Sequence, residues 1–411
     1  MYNPLASYEE NLRNGPSSVW NRDGLFPKIR YEGTPQYKLL DVPLHIPLGM
    51  PAGPLLSSAY VNVALDAGFC MPVYKTVRSS AWQSHPWPNV LRIQKLKSDV
   101  ESGGALIQPT EHKDSAFQLR TASSKANNRS CVEAVPLRAE DLLDPVLRSR
   151  LSITNAFGVP SLSPQEWGED FSRLLPNAFS QGKMTVLSFQ GSRQENKPWS
   201  DFLLDTAATA RLAAQCVRAA GGSLLEMNVS CPNEAGAPIF TDLQALTDTV
   251  RAASEGLADF PEMRLIIKLG VVPDQNILPS VEVIAKYAHG ISAINTVSAD
   301  IVTPEGHRAL GSGSSHGGVC GAAIRDEALQ MIGKLNRCRR SLGLDSKSFA
   351  LVGVGGCTTV EDFEKFLQAG ADVVHVATAA MWNLQFATEC AQRLGVKYSS
   401  LEGRNEQQQK S

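Results

Sequence analysis

An α/β fold of the (β/α)8 (TIM) barrel type, with a long excursion over its mouth, is what the sequence predicts. Two observations predict it. From about residue 43 onward, short apolar runs alternate with longer stretches of helical periodicity, the pattern of βα units on a parallel sheet. Eight such runs occur, the number that closes a barrel. The 32 glycines and 24 prolines supply the many tight turns that such a chain needs.

The expected strands cover residues 45–50, 72–77, 184–189, 224–228, 265–269, 292–296, 349–354 and 373–377. Helical patterns lie between them at 201–220, at 281–287 with Ser280 as N-cap, at 324–340, and at 360–369 closed by Gly370. A last helix is expected near 380–394. A spare strand at 151–155, followed by a helix at 164–175, is placed outside the barrel wall, in a hairpin above the second strand. Between 94 and 150 the pattern breaks down, with one short helix expected at 140–150. A structureless loop of that length is unusual in a compact domain. It reads as a partly ordered insertion over the barrel mouth. Residues 1–40 read as an N-terminal extension, 41–395 as one barrel domain, and 396–411 as a polar C-terminal tail.

Composition bounds the function. The chain has 411 residues, 43% hydrophobic and 19% charged, enough apolar material for a large core. Its formal net charge of -2 gives no single-sign field, which disfavours nucleic acid and anionic membrane as partners. No apolar run approaches the roughly 18 residues of a membrane span. The polar start of the chain resembles neither a signal peptide nor an amphipathic anchor, so a cytoplasmic protein is expected. None of the eight cysteines is spaced C-x-x-C, and the seven histidines form no ligand pattern. Reduced thiols and no metal are therefore expected.

In a barrel of this type, chemistry sits where strands end. Those ends carry Ala52-Gly53, Lys75-Thr76, Asn228, Lys268, Asn295-Thr296, Gly355-Gly356 and Ala377-Thr378, and the spare hairpin ends in Asn155 and Gly158. Cys231 and Asn233 follow the fourth strand. Glycine-rich turns after strands seven and eight suit an anion, because bare backbone N–H groups approach it closely. A strand-end lysine can stabilise the negative charge that a reduced flavin develops near N1 and O2. Asparagines, each with an acceptor and two donors, suit a flat ring edged with C=O and N–H. A thiol serves as general base when its site aligns it with an acidic C–H. Each feature alone has a bland reading: a turn, a solvated terminus, an inert thiol. Cys216, Cys357 and Cys390 read as core packing, and Cys320 is as much a cofactor neighbour as not. The coincidence of these groups at one face is what favours a site.

At these residues the chain resembles the dihydroorotate dehydrogenase family and the pyrimidine-reducing domain of dihydropyrimidine dehydrogenase. The matching pieces are Pro51-Ala52-Gly53-Pro54, Lys75-Thr76-Val77, Asn155-Ala156-Phe157-Gly158, Glu226-Met227-Asn228-Val229-Ser230-Cys231-Pro232-Asn233, Ile267-Lys268-Leu269, Ile294-Asn295-Thr296-Val297-Ser298, Gly317-Gly318-Val319-Cys320-Gly321-Ala322-Ala323-Ile324, Val352-Gly353-Val354-Gly355-Gly356 and Ala377-Thr378-Ala379. They run in family order from about residue 40 to 395.

The resemblance implies FMN at the barrel mouth and oxidation of dihydroorotate to orotate by hydride transfer to the flavin. It implies that Cys231 is the general base, as in the soluble, cysteine-type members, with Lys75 near flavin and substrate carboxylate. Asn155, Gly158, Asn228, Asn233, Asn295 and Thr296 match positions around the substrate, Asn155 and Asn228 also facing the cofactor. Ala52, Gly53, Thr76 and Lys268 match flavin positions, Lys268 at N1/O2. Gly318, Gly355, Gly356, Ala377 and Thr378 match the ribityl and phosphate cradle, Ala377 standing where many relatives have glycine. Residues 234–238 match a gate over the substrate. The implied partner is a small molecule. A homodimer is left open, as is the electron acceptor among fumarate, NAD through a partner flavoprotein, and quinone. Val159-Pro160-Ser161 replaces the usual Leu-Pro-Asn, and the 94–150 insertion exceeds the family's hairpin. These departures leave room for another dihydropyrimidine or cyclic amide as substrate. A non-catalytic flavin-binding protein, or a flavin-free barrel lyase using a lysine Schiff base, are the readings from other classes.

Overall fold

The computed structural model describes residues 1–21, 24–97, 130–180, 182–194, 196–230 and 238–401. Eight parallel strands close into a barrel: β1 (Leu48–Met50), β2 (Met71–Val77), β3 (Val186–Phe189), β4 (Leu224–Asn228), β5 (Arg264–Leu269), β6 (Gly290–Ala293), β7 (Ala350–Val354) and β8 (Val373–His375). Each pairs with its neighbours in sequence order, and β8 returns to β1 through Val374 opposite Leu48 and His375 opposite Gly49. Nearly all of their residues are buried, so the strands read as continuous apolar runs rather than alternations.

A helix follows each strand. Leu243–Gly256 begins at Asp242, whose carboxylate accepts from the Ala245 N–H, and lays Leu246, Val250 and Ala253 on the barrel. Val360–Ala369 has a capping box between Thr359 and Asp362 and ends at Gly370 with φ +109°, as expected from its sequence. The helix Asp274–Tyr287 starts a turn and a half before the expected Ser280 cap. Pro279 is accommodated in its early turns, and Ser280 is buried inside the helix. The helix expected at 140–150 is two short ones, Ala139–Leu143 and Pro145–Ser149.

A second sheet stands over the barrel's carboxyl end. Its five strands, Arg92–Lys97, Cys131–Val135, Ser152–Asn155, Val297–Val302 and His316–Gly321, also close on themselves. The spare strand lies outside the barrel wall, as expected, but its main partner is His316–Gly321, not a hairpin mate. Only one residue pair, Arg92 with Ile153, joins it to Arg92–Lys97. The middle of the insertion, 98–129, lies outside the described residues. The expected sixth strand at 292–296 is likewise divided: β6 ends at Ala293, and Val297 begins a strand of the upper sheet.

The first residues lie against this mouth. The rings of Tyr2 and Tyr8 pack on Phe157 at centroid distances of 6.2 and 5.8 Å, and the Trp382 indole N–H donates to the Tyr2 carbonyl at 3.0 Å. At the other end of the barrel, Ile29–Tyr31 pairs antiparallel with Tyr398–Ser400, a strand inside the expected polar tail. The Tyr31 hydroxyl donates to the Gly68 carbonyl at 2.7 Å.

Candidate active site

Between the carboxyl ends of the barrel strands and the upper sheet lies a cavity enclosing about 800 Å³, its solvent-open mouth included. Of the expected site residues, Gly53, Asn155, Lys268, Asn295, Thr296, Gly355, Gly356, Ala377 and Thr378 line it. They come from six separate strand ends or loops, which is how a barrel gathers a site.

The remaining expected residues stand close by or elsewhere. Ala52 adjoins the lining residues Pro51 and Gly53 and is buried. Lys75 and Thr76 are buried near the end of β2, the Lys75 N–H donating to the Leu55 carbonyl and the Thr76 hydroxyl lying 2.9 Å from that of Ser188. Gly318 sits opposite Asn155 in the upper sheet; a Cβ there would lie 2.2 Å from the Thr296 hydroxyl oxygen. Gly158 instead packs against the His85 ring, away from the cavity lining. Cys231 and Asn233, with most of the expected gate, lie outside the described residues.

Asn228 is fixed on three sides. Its Nδ2 donates to Gln190 Oε1 at 3.1 Å. Its Oδ1 accepts from the Ser230 hydroxyl at 3.0 Å and from Asn295 Nδ2 at 3.2 Å. Asn295 Nδ2 also donates to Ser230 Oγ at 2.8 Å, and its Oδ1 accepts from the Thr296 N–H at 2.8 Å. The amides of β4 and of the loop after β6 are thus oriented by one another and by Gln190, a residue that sequence reasoning passed over.

The cavity is electropositive at one point. Lys268 is buried, and no described residue gives its ammonium a hydrogen bond or an ion pair. A buried cation without a partner is costly, which suits this spot to an anionic or electron-rich ligand. Two strands further round the barrel, the turn after β7 carries Gly355 and Gly356 at φ +122° and +73°. A Cβ on Gly356 would lie 2.7 Å from the Arg325 backbone, so only glycine brings the chain this close to the helix Arg325–Ser341.

Two cysteines face this cavity. Burial pushes the Cys320 thiol up to about 11, against the opposing hydrogen bond from Thr378 and the charge of Lys268. Burial, with smaller repulsion from Cys390 and Asp362, pushes Cys357 well above the ordinary thiol range. Both are neutral thiols at physiological pH and poor bases. Cys357, expected in the core, is buried but also lines the cavity. Sequence reasoning also missed Tyr2, Phe157 and His375 in the lining. Among the described residues no three histidine, cysteine or carboxylate side chains gather as a metal site, and no helix is long and apolar enough to cross a membrane.

A closed (β/α)8 barrel with a cation and oriented amides at its carboxyl mouth defines a barrel enzyme of the small-molecule class. A family model described as dihydroorotate dehydrogenase matches residues 205–394. A dihydroorotate dehydrogenase of Dictyostelium discoideum is 30% identical over 394 residues, covering 93% of this chain and 94% of that protein. The catalytic subunit of dihydroorotate dehydrogenase B (NAD(+)) from Desulforudis audaxviator is 31% identical over 177 residues, 42% of this chain and 53% of that protein. The crystal structure of DHODH from Eimeria tenella in complex with ferulenol superposes with a TM-score of 0.59 at 15% identity, covering 87% of this chain and 82% of that one; it speaks for the fold. The chain belongs to the dihydroorotate dehydrogenase family and is an oxidoreductase by that membership.

Proposed function

We propose that this chain is an FMN-dependent dehydrogenase that oxidises dihydroorotate to orotate. The observation that carries the reading is the buried Lys268, whose ammonium has no hydrogen-bond or ion-pair partner among the described residues, in a cavity also lined by the Gly355-Gly356 turn two strands away. That pairing fits a ligand with an electron-rich ring at one end and a phosphate at the other. The residues fit FMN by chemistry: a cation for the ring's polar edge, and bare backbone with Thr378 for the phosphate. Bound there, FMN supplies a hydride acceptor.

The chain's residues do the rest. Asn155, Asn228, Asn233 and Asn295, with Thr296, hold the flat ring of the substrate by paired C=O and N–H groups. Lys75 meets the substrate carboxylate from β2. Cys231 takes the ring proton as general base. Cys320 and Cys357 are unsuited to that role, since burial keeps both thiols protonated.

The test is an anaerobic titration of the purified protein with dihydroorotate, following the flavin absorbance band. Bleaching at stoichiometric substrate supports the reading. A yellow protein that stays yellow refutes dihydroorotate and leaves the barrel and cofactor. Val159-Pro160-Ser161, standing where the family has Leu-Pro-Asn, favours a second reading in that event, another dihydropyrimidine or cyclic amide.

A further inference from the structure

His375 ends β8, and its ring lies in the cavity lining together with Lys268. The imidazole is 1% exposed, and neither Nδ1 nor Nε2 has a hydrogen-bond partner among the described residues. Room is made for it on β1: a Cβ at Gly49 would lie 2.6 Å from the ring's Cδ2 and Nε2. Burial, and then the charge of Lys268, push its pKa down to about 3, so the ring is neutral.

A neutral imidazole carries one N–H donor and one bare acceptor nitrogen. Leaving such a group unmatched in a dry site carries a desolvation penalty that leucine in the same space would avoid. A histidine satisfied within the core would need no further account; this one is not satisfied there. Glu226 Oε1 and Ser292 Oγ also lack partners, but neither residue lines the cavity. The unmatched donor–acceptor pair is therefore specific to the ligand's side of the barrel. A C=O/N–H ring edge offers the complement of both groups, whereas a phosphate offers acceptors only.

We propose that His375 contacts the polar ring edge of the bound flavin, as a neutral hydrogen-bonding partner set beside Lys268. The proposal rests on the FMN reading above. It predicts that His375 contributes to flavin affinity and to the stability of the reduced ring.

The experiment titrates flavin-stripped protein with FMN and with riboflavin, following quenching of flavin fluorescence, and measures the midpoint potential of the FMN complex. His375→Leu is expected to weaken both flavins at least fivefold and to lower the potential; His375→Gln, which keeps a donor and an acceptor, restores most of both. If wild type binds FMN and His375→Leu matches it within twofold at the same potential, the proposal falls and the flavin reading stands. If wild type takes up no FMN, both fall. A loss confined to FMN and absent with riboflavin overturns the ring contact. Should His375→Leu fail to fold, the imidazole nitrogen resonances of His375 in wild type, identified by their absence in His375→Gln, serve instead. They are expected to move when FMN is added, and unmoved signals overturn the contact.

Discussion

The side-chain amide of Asn295 donates to the side-chain carbonyl oxygen of Asn228 at 3.2 Å, tying the loop after β6 to the end of β4. Neither amide can turn without breaking a bond to the other, to Gln190 or to Ser230. Asn295→Leu therefore frees the Asn228 amide to turn about its remaining bonds to Gln190 and Ser230, and strands the Thr296 N–H. A buried polar group left unmade costs about 1–3 kcal/mol, so kcat/KM for dihydroorotate should fall roughly 10- to 100-fold. Steady-state kinetics check this, with the flavin content unchanged.

Cys231→Ser tests the proposed base. A serine hydroxyl is far less acidic than a thiol, so less of it is available as base at neutral pH. The anaerobic rate of flavin bleaching should drop about 10²- to 10⁴-fold at pH 7, the span of general base catalysis, and recover as pH rises. A stopped-flow series from pH 7 to pH 10 reads it; an unchanged rate assigns the proton transfer to another group.

At Gly356 the backbone has φ +73°, and an added Cβ meets the Arg325 backbone at 2.7 Å. Gly356→Ala combines left-handed strain with a clash against a helix end. A loss of about 1–3 kcal/mol is expected in urea unfolding, with weaker FMN retention, because the turn must withdraw from the cavity.

His375 makes stability pH-dependent. Its folded pKa of about 3 lies below the unfolded value of 6.5. Above pH 6.5 both states are neutral there and nothing is lost. As pH falls below 6.5, the unfolded chain takes up a proton that the folded chain refuses. Relative to His375→Gln, the flavin-free wild type should lose up to about 1.4 kcal/mol per pH unit through this window. Urea midpoints of the two proteins at pH 7, 6 and 5 should diverge in that direction; parallel midpoints would refute it.

Arg339 and Asp372 form a buried pair at 2.6 Å. Arg339 also donates to the Phe349 carbonyl at 3.1 Å, and Asp372 accepts from the Leu351 N–H at 2.7 Å. Burial already pushes the Asp372 carboxyl above its ordinary range, opposed by Arg339. Arg339→Met should cost about 3–5 kcal/mol by thermal or urea unfolding, and adding Asp372→Asn should recover part of it.

What the sequence disclosed follows from what was local. The eight wall strands announce themselves because both of their faces are buried, and the Gly370 cap because its chemistry sits within a single helix end. The upper sheet was largely illegible. Val297–Val302 alternates buried and half-exposed residues, and His316–Gly321 is rich in glycine, so neither carries a continuous apolar signal. Strand-end lysines, glycines and asparagines were legible as a set because barrel topology dictates where strand ends go. His375 was not, since in a Val-Val-His-Val run it reads as wall. Tyr2 and Phe157 were not, since they are distant in sequence and no local pattern encodes their meeting.

The pairing of Ile29–Tyr31 with Tyr398–Ser400 has a mechanical meaning. Ile29 lies opposite Ser400, so tension between the segments just before Ile29 and just after Ser400 draws on the same end of the pair and opens it one rung at a time. Such a clasp resists shear poorly loaded this way, yet its release leaves every wall strand with both neighbours. Tension borne across that pair is thereby spent on a sacrificial zipper at the far pole, while Tyr2 and Tyr8, upstream of it, stay anchored separately at the mouth.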